Sequence, residues 1–239
     1  TPETGLCGRL GSAVRVGVTM RVVEAPSYTE RRDAISHDCI HWLSGMQHTP
    51  LLIPNCLPEP ATFLDEYGIQ AVVLTSGNDV VPRPEGREEI APERDYTEFE
   101  ILRYATSRRI PVLGICRGMH IINQFFGGSV VADCRAQNLG AIDHVATEHA
   151  VELDASFCDM ASARQIITNS FHNQAVAPDG VGAGLKAFAR CTGDGLVEGL
   201  MHAELPILAI QWHPERPNPA AAFDKAIVDK LFNDKWGAV

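Results

Sequence analysis

The sequence predicts an α/β fold: a mainly parallel central sheet flanked by helices, with a β-rich C-terminal half. Three observations predict it. Between Val14 and Ile115 short apolar runs alternate with stretches of helical spacing, the βαβ pattern of a parallel sheet. The stretch Pro111 to Gly128, PVLGICRGMHIINQFFGG, reads as a buried strand, a sharp turn and a helix. From Val145 onward apolar runs recur at short intervals with few helical stretches between them.

Taken in order, Thr1 to Ala13 is rich in small and polar residues and is expected to be a flexible extension, leaving 14–239 as a single domain. Val14 to Met20 alternates as a first strand that ends at Arg21. Thr29 to His48 carries Ala34, Ile35, Cys39, Trp42, Leu43 and Met46 at helical spacing. Leu51 to Pro54 is a short strand, Pro60 to Tyr67 a helix closed by Gly68, and Ala71 to Leu74 a strand. Thr75-Ser76-Gly77-Asn78-Asp79 is a turn-forming cluster, and the charged, proline-bearing Val80 to Arg94 is expected to be a surface loop. Asp95 to Arg109 is helical and feeds the strand Ile110 to Ile115. Strands follow at Val145–Leu153, Gln165–Thr168, Leu185–Ala189, Leu196–Met201 and Ile207–Trp212, and Pro219 to Phe232 closes as an amphipathic helix.

Composition narrows the function classes. Of the 239 residues 45% are hydrophobic and 21% charged, enough for a sizeable core. The net charge of −10 opposes a nucleic-acid or anionic-membrane surface, because the field of the whole molecule repels phosphates. The seven cysteines are odd in number and form no C-x-x-C pair, so neither a disulfide framework nor a zinc site is expected. With no leader-like apolar segment and no run long enough to span a bilayer, a cytoplasmic protein is expected.

Cys116 sits at the junction of the strand–turn–helix, with Gly114 and Gly118 two residues to either side. Only glycine lets the backbone turn sharply and pack closely there without a side-chain clash. A thiol at a helix N-terminus is placed where free N–H groups and the macrodipole favour the thiolate. Those amides, beginning with that of Arg117, also point where an oxyanion would form. The same pattern fits a small-residue turn carrying a buried cysteine. Farther on, ILAIQWHPER ends a strand with His213 and Glu215, two residues apart and so on one side of an extended chain. A polar strand end reads the same way. Cys116, His213 and Glu215 together would form a triad for acyl transfer to sulfur, the carboxylate fixing the imidazole tautomer. Among the acidic residues preceding the elbow strand, Glu98 is expected to pair with the Arg117 guanidinium.

GICRG around Cys116, QWHPE around His213 and Glu215, and the glycine-bearing turn before Asp79 resemble class I glutamine amidotransferases. The resemblance spans about Val14 to Phe232. More narrowly, GVTMR at 17 to 21, ERDYTE at 93 to 98, HVATEH and NSFHNQAV at 169 to 176 are similar to the γ-glutamyl-γ-aminobutyrate hydrolase group, the C26 peptidase-like branch. Within it, the segments resemble members from capsule and lipopolysaccharide clusters, γ-glutamyl-CDP-amidate hydrolases among them. The resemblance implies a flavodoxin-like amidotransferase fold. It makes Cys116 the nucleophile, His213 the base, Glu215 its orienter, and Gly77 and Arg117 the oxyanion donors. It further implies substrate contacts from Arg21, Asn78, His120, Asn169, Ser170, His172 and Gln174. Two positions depart from the family pattern: Ser76-Gly77 replaces a glycine pair, and His120 stands where glutamine is usual.

The implied activity is hydrolysis of a γ-glutamyl amide through a thioester, without a cofactor. The alternatives are a glutaminase subunit feeding ammonia to a synthetase partner and a non-catalytic binding protein on the same fold. The expected partner is a small-molecule γ-glutamyl substrate, with a homodimer left open. Were the amine side to carry phosphate, Arg21 would be the cation to hold it, with Arg83, Arg87 and Arg216 as loop candidates. His144 and His149, five residues apart on one strand, are expected on opposite faces, so no metal site is predicted.

Overall fold

A computed structural model describes residues 13–83, 90–135 and 142–233. The elements are β1 (Arg15–Thr19), β2 (Arg21–Glu24), β3 (Arg31–Ala34), α1 (His37–Gly45), β4 (Thr49–Ile53), α2 (Pro60–Glu66), β5 (Ala71–Leu74), α3 (Pro92–Arg108), β6 (Val112–Ile115) and α4 (Arg117–Phe125). They continue with β7 (Val145–Leu153), α5 (Ala155–Ala161), β8 (Gln165–Phe171), β9 (Leu185–Cys191), β10 (Val197–His202), β11 (Ile207–Ile210) and α6 (Ala221–Phe232). One nine-stranded sheet runs β4-β1-β5-β6-β11-β10-β9-β7-β8. From β4 to β11 neighbours are parallel. From β11 outward they are antiparallel, which is the β-rich half expected from the sequence.

Helices cover both faces of the parallel part, and this explains its unbroken apolar runs. Val73, Leu113 and Leu208 point to one face, packed with Leu43 of α1 and Phe223, Ile227 and Leu231 of α6. Their chain neighbours Val72, Val112 and Ile207 point to the other, packed with Leu64 of α2, Ile101 and Leu102 of α3, and Met119 and Ile122 of α4. Residues alternate between the two cores because successive side chains leave a strand on opposite sides.

Several expectations are corrected. Thr29 to His48 is not one helix. Arg31–Ala34 is a strand paired antiparallel with Arg21–Glu24, so the chain continues past Arg21 as a two-stranded hairpin. An Ala25 N–H to Glu30 carbonyl bond of 2.9 Å closes this hairpin, and the helix starts only where the Ser36 hydroxyl caps the Asp38 N–H. The surface loop ends earlier than expected: α3 begins at Pro92, a residue suited to a first helical turn, so Arg94 is helical. Ala155–Ala161 forms a short helix capped by Asp154. The histidine geometry also differs. Ala146 has φ 56° and the β7–β8 register shifts between Val145 and Thr147. That bulge inserts one residue and restores even parity, so His144 and His149 share a face with ring centroids 4.9 Å apart. The expected N-terminal extension up to residue 12 and Arg87 lie outside the described residues.

Candidate active site

Strands β5, β6 and β11 end side by side, and the site is assembled from the turns just beyond their ends. After β6 the chain reverses at Cys116, whose φ of 53° and ψ of −104° fall in a region that residues with a side chain rarely adopt. The turn is held by the Cys116 N–H to Ile210 carbonyl bond of 2.8 Å, which ties β6 to β11 at the site. Both flanking glycines are required by space. A Cβ on Gly118 would sit 2.1 Å from the Leu74 carbonyl oxygen, and one on Gly114 would sit 2.7 Å from the Gly118 backbone. Helix α4 therefore presses directly on β5 and β6, and its first N–H groups lie beside the thiol.

After β11, Trp212 is fully buried and donates its indole N–H to Asp224 of α6 at 2.8 Å, anchoring the segment that carries the base. His213 Nδ1 lies 2.7 Å from Glu215 Oε1, the same-side arrangement expected from their spacing. Nε2 closes no hydrogen bond in the static structure. Burial opposes a charged imidazole, yet the Cys116 thiolate and the Glu215 carboxylate outweigh it and raise His213 to about 9. Cys116 and Glu215 together therefore favour the protonated form of the ring.

After β5 comes the turn with Gly77 at φ 83° and Asn78 at φ 60°. Its shape is fixed from below by Arg94, a wholly buried guanidinium that the sequence pattern had placed in a loop. Arg94 donates to the carbonyls of Thr75 (2.6 Å), Ser76 (3.1 Å) and Gly77 (2.7 Å), pulling the oxygens of the turn inward. It also bonds Glu98 Oε1 at 2.9 Å, and Glu98 Oε2 in turn pairs with Arg117, the partner expected for it. Thr19 and Asp95 complete the network. Burial disfavours the Glu98 carboxylate, but Arg117 and Arg94 prevail and hold it below its usual range. One buried carboxylate therefore links the turn bearing Gly77 to the elbow bearing Arg117.

The remaining site residues divide by what their side chains touch. A cavity of ≈ 130 Å³ at Cys116 is lined by Gly77, Asn78, Asp79, Arg83, Arg117, His120, Phe171, His172, Asn173 and Gln174. His120 is neutral there, with burial lowering it to about 3 and Nε2 2.8 Å from Gln211 Oε1. Gln174 holds the start of the next loop through Val80 N–H (3.0 Å) and the Val81 carbonyl (2.6 Å). Asn78 spends its side-chain amide on both backbone groups of Val22, each at 2.9 Å. Asn169 grips the base segment from both sides, accepting from His213 N–H and donating to the His213 carbonyl at 2.9 Å each. Ser170 donates to the His144 carbonyl at 3.0 Å. Arg21 lies outside the cysteine cavity; it packs on Gly77 and lines a neighbouring cavity of ≈ 340 Å³ with Val22, Arg31 and Asn78. Arg216 stacks over Phe171 at 4.4 Å, and Phe171 meets the His213 ring edge-on. A larger cavity of ≈ 480 Å³ between β7, β9 and α5 shares no residue with the site.

Comparison with known proteins gives the family and the fold. Residues 15–215 match the family described as Peptidase C26. The chain is 29% identical to the provisionally named glutamine amidotransferase-like protein YvdE of Lactococcus lactis, over 89% of this chain and 93% of that protein. It is 28% identical to the γ-glutamyl-CDP-amidate hydrolase of Campylobacter jejuni, over 85% of this chain and 90% of the relative. Among solved structures, one from Thermoplasma acidophilum, provisionally described as a GMP synthase subunit, superposes with a TM-score of 0.64 at 20% identity, covering 92% of this chain and 93% of its own. That neighbour shares the fold.

Proposed function

Because the chain belongs to the Peptidase C26 family, we propose that it hydrolyses a γ-glutamyl amide through a thioester on Cys116. The observation that carries this reading is the elbow itself: a cysteine with φ 53° at the N-terminus of α4, beside a histidine held 2.7 Å from a glutamate. The Cys116 thiolate attacks the γ-carbonyl carbon, and the resulting oxyanion takes the backbone N–H groups of Gly77 and Arg117. Collapse of the tetrahedral intermediate breaks the C–N bond, and the His213 imidazolium gives its proton to the departing amine. Water then attacks the thioester while His213 removes a proton, releasing glutamate and the thiol. Glu215 keeps the imidazole in the tautomer that both steps need.

The cysteine cavity suits a glutamyl head group, with the leaving amine directed past Asn78 toward the cavity that Arg21 lines. A phosphate-bearing amine, as in γ-glutamyl-CDP-amidate, and an uncharged or carboxylate-bearing amine, as in γ-glutamyl-γ-aminobutyrate, are the candidates. The test is a panel of both amides and glutamine, assayed by glutamate release with wild type and Cys116→Ala. Wild type is expected to turn over at least one amide, and Cys116→Ala to lose about 10³-fold or more while binding it. Residual activity of Cys116→Ala within tenfold of wild type would remove the nucleophile assignment. Turnover of glutamine alone would point instead to ammonia supply for a synthetase.

A further inference from the structure

Next to the cysteine cavity, and using none of the proposed triad, four buried side chains converge on one point: His144, His149, His172 and Glu198. One donor atom from each lies within 4.8 Å of every other. Glu198 Oε1 is 3.6 Å from His149 Nε2, 3.6 Å from His172 Nε2 and 3.9 Å from His144 Nδ1. These separations are too long for hydrogen bonds. They are close to the spacing a single ion imposes, since a tetrahedral centre with bonds of about 2.0–2.2 Å sets its donors roughly 3.3–3.6 Å apart.

The hydrogen-bond inventory points the same way. Both oxygens of Glu198, both ring nitrogens of His149 and Nε2 of His172 are buried and have no hydrogen-bond partner within 3.5 Å among the described residues. Buried polar atoms are almost always satisfied, and three of these, Glu198 Oε1, His149 Nε2 and His172 Nε2, face one point and call for a shared occupant. The tautomers are already set from outside. His172 Nδ1 donates to the Gln174 carbonyl at 3.0 Å, leaving the Nε2 lone pair facing inward. His144 Nε2 donates to Asp194 Oδ2 at 2.7 Å, which places the Nδ1 lone pair 3.3 Å from the Ser170 hydroxyl and 3.9 Å from Glu198 Oε1, so an ion there would draw Nδ1 away from Ser170. A carboxylate or carbonyl behind the far ring nitrogen is the usual support of a metal-bound histidine.

We propose that His144, His149, His172 and Glu198 form a closed site for a divalent transition ion, zinc being the best match to three imidazoles and one carboxylate. The four donors fill a tetrahedron and leave no open position, which makes the ion structural. It fastens β7, β10 and the segment after β8, and so stiffens the wall of the cysteine cavity that His172 and Gln174 form. The bulge at Ala146 is what brings His144 into the set.

The test uses the full chain grown with zinc and purified without chelator. Elemental analysis is expected to find about one zinc per chain. Stripping by chelator should lower Tm, and Zn²⁺ or Co²⁺ added back should raise it by about 5 °C or more. Bound Co²⁺ should also show the intense visible bands of a tetrahedral site. Glu198→Gln and His149→Ala should lose the metal, while Cys116→Ala keeps it. Less than about a tenth of an ion per chain, with no Tm response of wild type to Zn²⁺ or Co²⁺, would overturn the proposal, even if the variants fail to fold. Metal lost in Cys116→Ala but retained in His149→Ala would overturn it as well, by placing the ion at the thiol. None of these readouts depends on turnover, so failure here leaves the hydrolase reading standing, and the reverse also holds.

Discussion

At the scale of single residues, the decisive quantity is the proton on His213. Its elevation to about 9 depends on two anions, the Cys116 thiolate and Glu215, acting against burial. The imidazolium donates to the leaving amine, so it must be protonated when acylation occurs. The rate of acylation is expected to hold up to about pH 9 and to fall as the ring loses its proton above that value. Glu215→Gln removes one of the two charges that raise the ring, so its alkaline limb should lie at lower pH. The rate itself should drop by about 10²–10⁴-fold, because the imidazolium loses its partner and its tautomer control. A single-turnover pH profile of both proteins checks this. An unchanged profile with only a higher KM would contradict the assigned role.

At the scale of elements, the first turn of α3 acts as a bracket beneath the turn that comes after β5. Arg94 satisfies three carbonyls of that turn and one oxygen of Glu98; its bonds to Glu98 and Thr75 are buried, and those to Ser76 and Gly77 are half-buried. Arg94→Met would leave a buried carboxylate and carbonyls without their donor, at a cost of about 3–5 kcal/mol in urea denaturation. Arg94→Lys keeps the charge but not the fork, and should recover part of the stability while the turn, and with it kcat, remains impaired. Equal stability of all three proteins would refute the bracket. Arg94 also shows where sequence reading stops. The strands Ala71–Leu74, Val112–Ile115 and Ile207–Ile210 and the elbow were legible because both faces of each strand are buried and the glycines are forced by contact. Pro92 and the charged run after it looked like loop, since nothing local announces that Arg94 will be enclosed. The β2–β3 hairpin was hidden because its strands are four residues each and β3, RRDA, is polar with its first two residues exposed, while Ala34 and Ile35 fall in phase with the helix beyond. The Ala146 bulge left no mark in the alternation of β7, so the meeting of His144 and His149 appears only in three dimensions.

At the scale of the whole molecule, a charge of −10 surrounds a site with several guanidinium groups near its mouth. Those cations are matched locally: Arg83 with Asp79 at 2.7 Å, Arg31 with Glu93 at 2.6 Å, and Arg216 with Glu215 at 4.0 Å. The far field is therefore that of the net charge, and it repels an anionic substrate during approach. Raising ionic strength from about 10 mM to 150 mM shortens the screening length from about 30 Å to 8 Å. For γ-glutamyl-CDP-amidate kcat/KM should then increase, and for glutamine, which carries no net charge, it should stay level. A decrease for the nucleotide would show instead that the guanidinium groups capture it from a distance.

The backbone at Cys116 sets folding against function in a way that selection can expose. With φ 53° and ψ −104°, the position favours a residue without a side chain, and the strain of holding any other there is about 1–3 kcal/mol. Exchanging alanine for glycine in an ordinary turn lowers stability by about 0.4–1 kcal/mol; at this position the order should reverse, with Cys116→Gly more stable to denaturant than Cys116→Ala. A library randomised at codon 116 and enriched only for folded, soluble protein should accordingly drift toward glycine. The same library enriched for turnover should return cysteine, and the gap between the two outcomes measures what the chemistry demands of the chain.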